Sequence, residues 1–328
     1  MHRLDLFQNK KQNKLKQINY DFSKKKLRLL VTGGAGFIGS NLVDSLVSMG
    51  HIVTVIDNES AECNEKFYWN KDAANYKYDI SDYAKIRPLF DKIDCVFHLA
   101  AESRMQPSIL NPIQCIKTNV LGTATVLQCA REAGVDRVIY STTSSYYGKK
   151  NKIPNVETQI EDCLNAYSVS KVSGEKLCKM YNDLHGLKTI SLRYFNVYGD
   201  REPTEGQYAP VIGLFLKQNR EGNPITVVGS GLQKRDFTNV KDVVRANIIA
   251  ATKDLPYDAF GQSYNIGSGI NHRIHDIASM INASNIAFLP ERIGEAKETL
   301  ADISKAMDVL GWEPQVSLIE YLNVVSSY

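Results

Sequence analysis

The stretch LRLLVTGGAGFIGSNLVDSLVSMG (27–50) limits the possible folds more than any other part of the chain. LRLLVTG (27–33) is the short apolar run of a buried strand, and FIGSNLVDSLVSMG (37–50) carries apolar residues at helical spacing. Between them Gly33, Gly36 and Gly39 form a G-x-x-G-x-x-G pattern. One glycine allows a tight turn, one lets a pyrophosphate approach the backbone, and one lets the helix pack closely on the strand. Unsatisfied N–H groups at the helix start then favour an anion. The next strand, HIVTVID (51–57), ends on Asp57, 24 residues after Gly33. A carboxylate there accepts from both hydroxyls of an adenosine ribose and repels a 2′-phosphate. The pattern therefore predicts NAD rather than NADP as cofactor.

The same alternation continues. YKYDI (76–80), CVFHLA (95–100), RVIYST (137–142) and KTISLRYF (188–195) read as strands, with helices predicted over 111–133 and 166–185, stopped by Gly134 and Gly186. Such a βαβ rhythm implies an α/β fold, a Rossmann-type doubly wound parallel sheet covered on both faces. After Asn196 glycine and proline become frequent and the strand-like pieces short. We expect a basic arm over 1–26, a NAD-binding domain over 27–195 with returning segments near 236–267, and a smaller mixed α/β substrate lobe over 196–328.

Charge and cysteines exclude several classes. Lys+Arg number 39 against 36 Asp+Glu, a net +3, but residues 1–26 alone hold eight Lys/Arg against Asp5 and Asp21. The remainder is thus at −3, so the balance points to no nucleic-acid partner. No apolar run approaches the length of a membrane span, and the arm lacks the apolar core of a secretory signal. The six cysteines are scattered without a C-x-x-C pair, which predicts reduced thiols in a cytoplasmic setting. His272 and His275 lie three apart with no further ligands, so no metal is predicted, and His98 simply ends a buried strand.

Tyr167 and Lys171 form Y-x-x-x-K on the helix predicted over 166–185, so both side chains leave one face. A phenol titrates near ~10, too high for a base at neutral pH. A lysine cation one turn away stabilises the phenolate, and a cationic nicotinamide would have to help. Upstream, STTSSYYG (141–148) sets hydroxyls at the C-terminal edge of the sheet, where open α/β folds bind ligands. Thr143 is placed to hydrogen-bond the substrate oxygen that Tyr167 deprotonates. A hydroxyl, a phenolate and a lysine beside a nicotinamide suit oxidation of a secondary alcohol.

These motifs, together with HLAAES, TNVLGT, LRYFNVYG, KRDFTNVKDV, YNIGSG and ERIGEAKETLADISKA, resemble the extended short-chain dehydrogenase/reductases, specifically the nucleotide-sugar 4-epimerases. The likeness runs from about Leu27 to Tyr321. It implies proton removal from a sugar 4-hydroxyl by Tyr167, hydride transfer from C4 to tightly held NAD, and return of hydride to the opposite face. It also implies that Phe37, Ile38, Asn58, Asp79, Ile80, Leu99, Ala100, Ala101 and Tyr194 join Gly33, Gly36, Gly39, Asp57, Tyr167 and Lys171 at the cofactor. Ser144 and Ser145 follow Thr143 where related dehydratases carry Asp-Glu, which disfavours dehydration.

By the same resemblance Arg235, Arg292 and Asn196 hold the diphosphate, and guanidinium suits bidentate phosphate contact. Ser103, Thr143, Ser144, Ala209 and Val211 are expected at the sugar. Thr299 stands at a position where a large residue restricts such enzymes to glucose and galactose, and a small one admits N-acetylated sugars. That residue and EGQYAPVIGLF (205–215) favour UDP-N-acetylglucosamine and UDP-N-acetylgalactosamine over UDP-glucose and UDP-galactose. The alternatives are another NAD-dependent nucleotide-sugar enzyme (a 4-keto-sugar reductase, dehydratase or uronate epimerase) and a non-catalytic dinucleotide sensor. The helices at 111–133 and 166–185 resemble a pair that builds a four-helix homodimer interface.

Overall fold

The computed structural model describes residues 26–61, 64–205, 209–281, 283, 285–292, 294 and 296–326, so residues 1–25 of the basic arm and Cys63 lie outside the described residues. In chain order the elements are β1 (Arg28–Thr32), α1 (Phe37–Ser48), β2 (Ile52–Asp57), β3 (Ala74–Lys77), α2 (Tyr83–Ile86), β4 (Cys95–His98), α3 (Met105–Leu110), α4 (Pro112–Ile116), α5 (Gly122–Glu132), β5 (Arg137–Thr143), α6 (Ala166–His185) and β6 (Lys188–Tyr194). There follow β7 (Val197–Tyr198), α7 (Val211–Arg220), β8 (Ile225–Val228), β9 (Lys234–Asp236), β10 (Thr238–Asn239), α8 (Val240–Thr252), β11 (Gln262–Ile266), β12 (Asn271–Arg273), α9 (Ile274–Met280), β13 (Ile286–Leu289) and α10 (Leu318–Val325).

The main sheet has seven strands in the order β11-β6-β5-β4-β1-β2-β3, every pair parallel. Strand alternation sends its residues to two separate cores. Leu29, Val31, Val53, Val55 and Phe97 pack with Leu42, Val43 and Leu46 of α1 and with Val243 and Ala246 of α8. Leu30, Ile56, Val96 and Val138 face the other way, against Val126 and Leu127 of α5 and Cys178 and Tyr181 of α6. Burial on both faces explains why the strands read as continuous apolar runs. The order reverses between β1 and β4, the place where such sheets open a ligand crevice.

Beyond β6 the short strands pair in twos, β10 with β7, β12 with β9 and β13 with β8. Their own cluster, built on Tyr198, Phe215, Ile225, Val227, Ile277 and Leu322, faces the main sheet's C-terminal edge through the cavity described below. The chain does return to the sheet through α8 and β11, as the sequence predicts.

Two elements differ from their sequence reading. The helix predicted over 111–133 is broken: Asn111 accepts from the amide of Gln114, Pro112 opens α4, and residues Lys117–Leu121 form a π turn before α5. The strand predicted over 76–80 sits earlier, at Ala74–Lys77, because the Asp79 carboxylate accepts from the amide and hydroxyl of Ser81 (both 2.8 Å) and turns the chain. Helix α6 has the expected bounds, fixed by a reciprocal capping box between Asn165 and Ser168 and by Gly186 at φ 69°. Cys95, Cys115, Cys129, Cys163 and Cys178 are free thiols. No helix among the described residues is long and apolar enough to cross a membrane.

Candidate active site

A cavity of about 620 Å³ opens at the switch point and runs from the glycine loop to β8 and β9. Its floor is set by the glycines. At Gly33, φ is +70° and a Cβ would lie 2.6 Å from the amide nitrogen of Ala100. At Gly39 a Cβ would lie 2.0 Å from the carbonyl oxygen of Gly33, so only glycine lets α1 seat against the loop. Gly36 differs. Its Cβ would meet protein no closer than 3.5 Å and would project into space that the cavity occupies. Gly36 also caps α1 without any side-chain acceptor, and the first turn carries no acid. The twelve-residue helix therefore offers its amides to an anion.

Asp57 closes this end. It accepts from Ala35 N (3.0 Å) and Glu59 N (2.8 Å), which ties the glycine loop to the end of β2. Burial pushes its carboxyl up, against the pull of those amides. Phe37, Ile38, Asn58, Ile80, Leu99, Ala100, Ala101 and Tyr194 all line the cavity, as expected. Asp79 does not, because its carboxylate is turned into the Ser81 turn. The cradle at Gly36, the helix-end amides and the ribose-reaching acid fit NAD.

The chemical centre lies where β5 ends and α6 begins. Thr143 Oγ1 accepts from Ser145 N (3.1 Å) and donates to Ser145 Oγ (3.2 Å), and both Thr143 and Tyr167 line the cavity. Burial pushes the Tyr167 phenol up; the Thr143 hydroxyl and the Arg104 guanidinium oppose that. Lys171 lies one turn along α6 from Tyr167 and lines the same cavity. Its ammonium donates to Ser141 O (2.8 Å), stands 4.9 Å from the Tyr140 ring centroid, and is pushed down to about 8 by burial. Tyr194 meets Ser141 Oγ (2.9 Å) and accepts from Asn247 Nδ2 (2.7 Å). His98 is fully buried between Thr32 (2.7 Å) and Thr123 (2.9 Å) and ends its strand, as read.

The π turn has a use. It brings Thr118 to the cavity wall and aims Asn119 inward, where its amide takes both backbone polar groups of Glu102 and donates to Ser170 Oγ (2.9 Å). The loop carrying Ser103 is thereby tied to α6. Such single-turn bulges are frequent at functional sites.

At the far end Ser103, Ser144, Asn196, Ala209, Val211, Arg235 and Arg292 all line the same cavity. Arg235 is held by the carbonyls of Lys234 (3.0 Å) and Lys297 (3.3 Å). Asn196, at φ 29°, donates to Asp236 O (2.6 Å) and to Thr299 Oγ1 (3.3 Å). Thr299 itself is not in the wall. Its hydroxyl oxygen accepts from Asn196 and from Asp236 N (3.3 Å), so it stands behind Asn196. Sequence reasoning missed Arg104 and Glu202, both in the wall. Arg104 directly follows HLAAES and Glu202 lies three residues past the end of LRYFNVYG, so a charged residue near such a motif's edge was the available signal.

The sequence model described as the NAD dependent epimerase/dehydratase family matches residues 29–267. A putative UDP-glucose 4-epimerase of Methanocaldococcus jannaschii is 33% identical over 308 residues, covering 92% of this chain and 97% of that one. A UDP-glucuronate 4-epimerase of Thermodesulfobacterium geofontis is 33% identical over 311 residues, covering 90% and 93%. The solved structure of a UDP-N-acetylglucosamine 4-epimerase from Methanobrevibacter ruminantium, in complex with UDP-N-acetylmuramic acid, aligns with TM-score 0.85 at 30% identity, over 92% of this chain and 98% of that one. The chain belongs to the NAD-dependent epimerase/dehydratase family, with the α/β fold and NAD-binding loop of that family.

Proposed function

We propose that the protein inverts C4 of a UDP-hexose, and that UDP-N-acetylglucosamine and UDP-N-acetylgalactosamine are its substrate pair. One observation carries the reading: the glycine cradle, the Thr143–Tyr167–Lys171 trio and both arginines line one continuous cavity. NAD held along the glycine cradle would supply the hydride acceptor and donor that inversion at C4 needs. Tyr167 takes the proton of the 4-hydroxyl as its C–H bond breaks and returns it when the alcohol re-forms, so the protein gains and loses nothing over a cycle. Thr143 orients that oxygen from the other side. Lys171 holds the cofactor ribose while its bond to Ser141 fixes α6 on β5. Arg235 and Arg292 take the diphosphate, which leaves the hexose free to turn between the two half-reactions.

The N-acetyl preference no longer draws support from Thr299, which stands behind Asn196. It rests on the resemblance of residues 205–215 and on the likeness to the M. ruminantium enzyme. Residues 27–195 and 236–267 serve the cofactor in this reading, and the rest of 196–328 serves the nucleotide sugar. Two copies are proposed to pair through the α4–α5 segment and α6. That face exposes Ile113, Leu121 and Val169, the first of them at 81%.

The test is a panel of UDP-sugars incubated with purified protein and no added NAD, with the products resolved. Retained NAD and conversion of UDP-N-acetylglucosamine are expected. Tyr167→Phe should keep its NAD and lose turnover by a factor of at least ~10². Full turnover by that variant would overturn the mechanism.

A further inference from the structure

Two segments at the cofactor end of the cavity are tied to each other. Residues 64–70 follow β2 in the NAD-binding half, and residues 199–204 follow β7 at the entry to the substrate lobe. Asn64 and Phe67 of the first and Glu202 and Pro203 of the second line the cavity together with Gly36 and Phe37. The residues beside them do not line it and bond segment to segment instead. Glu65 Oε1 accepts from both the amide (2.8 Å) and the hydroxyl (2.7 Å) of Thr204. The Arg201 guanidinium pairs with Asp44 of α1 and stands 4.8 Å from the Tyr68 ring centroid. Asn41 of α1 donates to Asp200 O (2.9 Å), and Asp44 also accepts from Asn70 (2.7 Å). The first segment lies against the cradle: Tyr68 N donates to Ala35 O (2.8 Å), and a Cβ on Gly36 would lie 3.6 Å from Asn64 Nδ2.

Backbone strain marks both sides of this tie. Arg201 sits at φ 68°, and Glu59, shortly after β2, sits at φ 57°, where its carboxylate accepts from Trp69 Nε1 (2.7 Å) and pairs with Lys77. Non-glycine residues keep such a backbone only where their surroundings impose it, and they gather at ligand clamps. We infer that residues 64–70 and 199–204 form a strap over the cradle, with Glu65 and Arg201 as positioning residues that keep NAD resident from one turnover to the next. A dinucleotide seated on the α1 amides has the inner faces of both segments beside it and leaves only when they part. The ties touch neither cofactor nor sugar; they act by slowing that opening, and so the release of NAD. They are also partly exposed, the Arg201 and Asp44 side chains at 29% and 42%, so the fold itself gains little from them. The inference needs NAD in this cavity and does not depend on which sugar is turned over.

The experiment loads the wild type and a Glu65→Ala/Arg201→Gly double variant with NAD, adds an enzyme that hydrolyses free NAD, and follows the nucleotide left on the protein. Glu65→Ala removes the acceptor of both Thr204 bonds, and Arg201→Gly removes the guanidinium while relaxing the strained φ. The double variant should lose NAD at least ~10-fold faster than the wild type. Its NAD-free form should melt within about 2 °C of wild type. A smaller change in release rate, or a larger fall in the melting of the NAD-free protein, overturns the assignment and leaves these contacts as ties of the fold alone. Should the double variant not fold, Glu65→Ala at its exposed position is read by the same release rate, and a rate equal to wild type overturns the strap. No sugar enters the measurement, so a failure here is distinct from a failure of the UDP-sugar reading.

Discussion

The register of the catalytic helix rests on a buried ion pair, and removing one member gives a quantitative test. Glu175 lies on α6 one turn beyond Lys171, and Arg193 lies on β6; their side chains are 8% and 4% exposed. Arg193 donates to Glu175 through Nε (3.0 and 3.2 Å) and Nη2 (2.7 Å). Thr142 Oγ1 (2.8 Å) and Ser263 Oγ (3.0 Å) donate to the same carboxylate. In Glu175→Gln the guanidinium keeps the Tyr147 hydroxyl (2.9 Å) and the Tyr146 ring at 3.5 Å, but no anion. Breaking a buried pair on one side costs about 3–5 kcal/mol, because the other charge stays uncompensated. An unfolding entropy of ~2.1 cal/mol/K per residue over this chain converts that to a melting point about 4–7 °C lower. Calorimetry at fixed NAD measures it. Glu175→Met with Arg193→Met removes both charges and should recover at least half of the loss, since apolar replacement of a whole pair is often neutral. A single variant that melts within about 1 °C of wild type, or a double variant worse than the single, would refute the reasoning.

Two further outcomes follow from the same coordinates. Gly39→Ala places a Cβ 2.0 Å from the Gly33 carbonyl and should cost about 1–3 kcal/mol and most bound NAD, whereas Gly36→Ala, clear of protein to 3.5 Å, should lose NAD with little change in apo-protein melting. Nucleotide released on heating, set beside the melting points, separates the two; equal destabilisation by both would sink the cradle argument. His98 bears on acid stability: burial pushes its imidazole from 6.5 down to about 3, so between those values the unfolded chain binds the extra proton and stability falls as pH falls. From pH 6.5 to pH 5 this amounts to about 2 kcal/mol, a slope that urea midpoints should show in the wild type and not in His98→Gln.

What the sequence made legible divides along a physical line. The glycine loop, Asp57, the Thr143–Tyr167–Lys171 trio and the bounds of α6 depend on local rules: backbone freedom, strand–helix spacing, a capping box and a glycine stop. All of them lie where the reading put them. The errors arose where a side chain chose between neighbours that only the tertiary fold supplies. Asp79 bonds Ser81 and Thr299 bonds Asn196 and Asp236, and neither lines the cavity. Lys171 lies where its motif put it, yet its ammonium also takes the carbonyl of Ser141 on the adjoining strand, a partner 30 positions away that helical spacing cannot reveal.

The broken helix makes the same point from the backbone side. Apolar periodicity runs through 111–133 without interruption, because a π turn keeps the flanking helices on one course while rotating the residues within it. Rotation is what lets Thr118 reach the cavity and Asn119 hold both backbone groups of Glu102. Glu102 begins the loop that carries Ser103 and Arg104, and Arg104 is the cation that opposes the burial of Tyr167. A feature that costs helix hydrogen bonding in one element thus sets the electrostatics of the reacting residue in another. The spacing of Tyr167 and Lys171 names the chemistry, but the loop anchored by Asn119 carries the cation that opposes, without overcoming, the upward push of burial on the phenol.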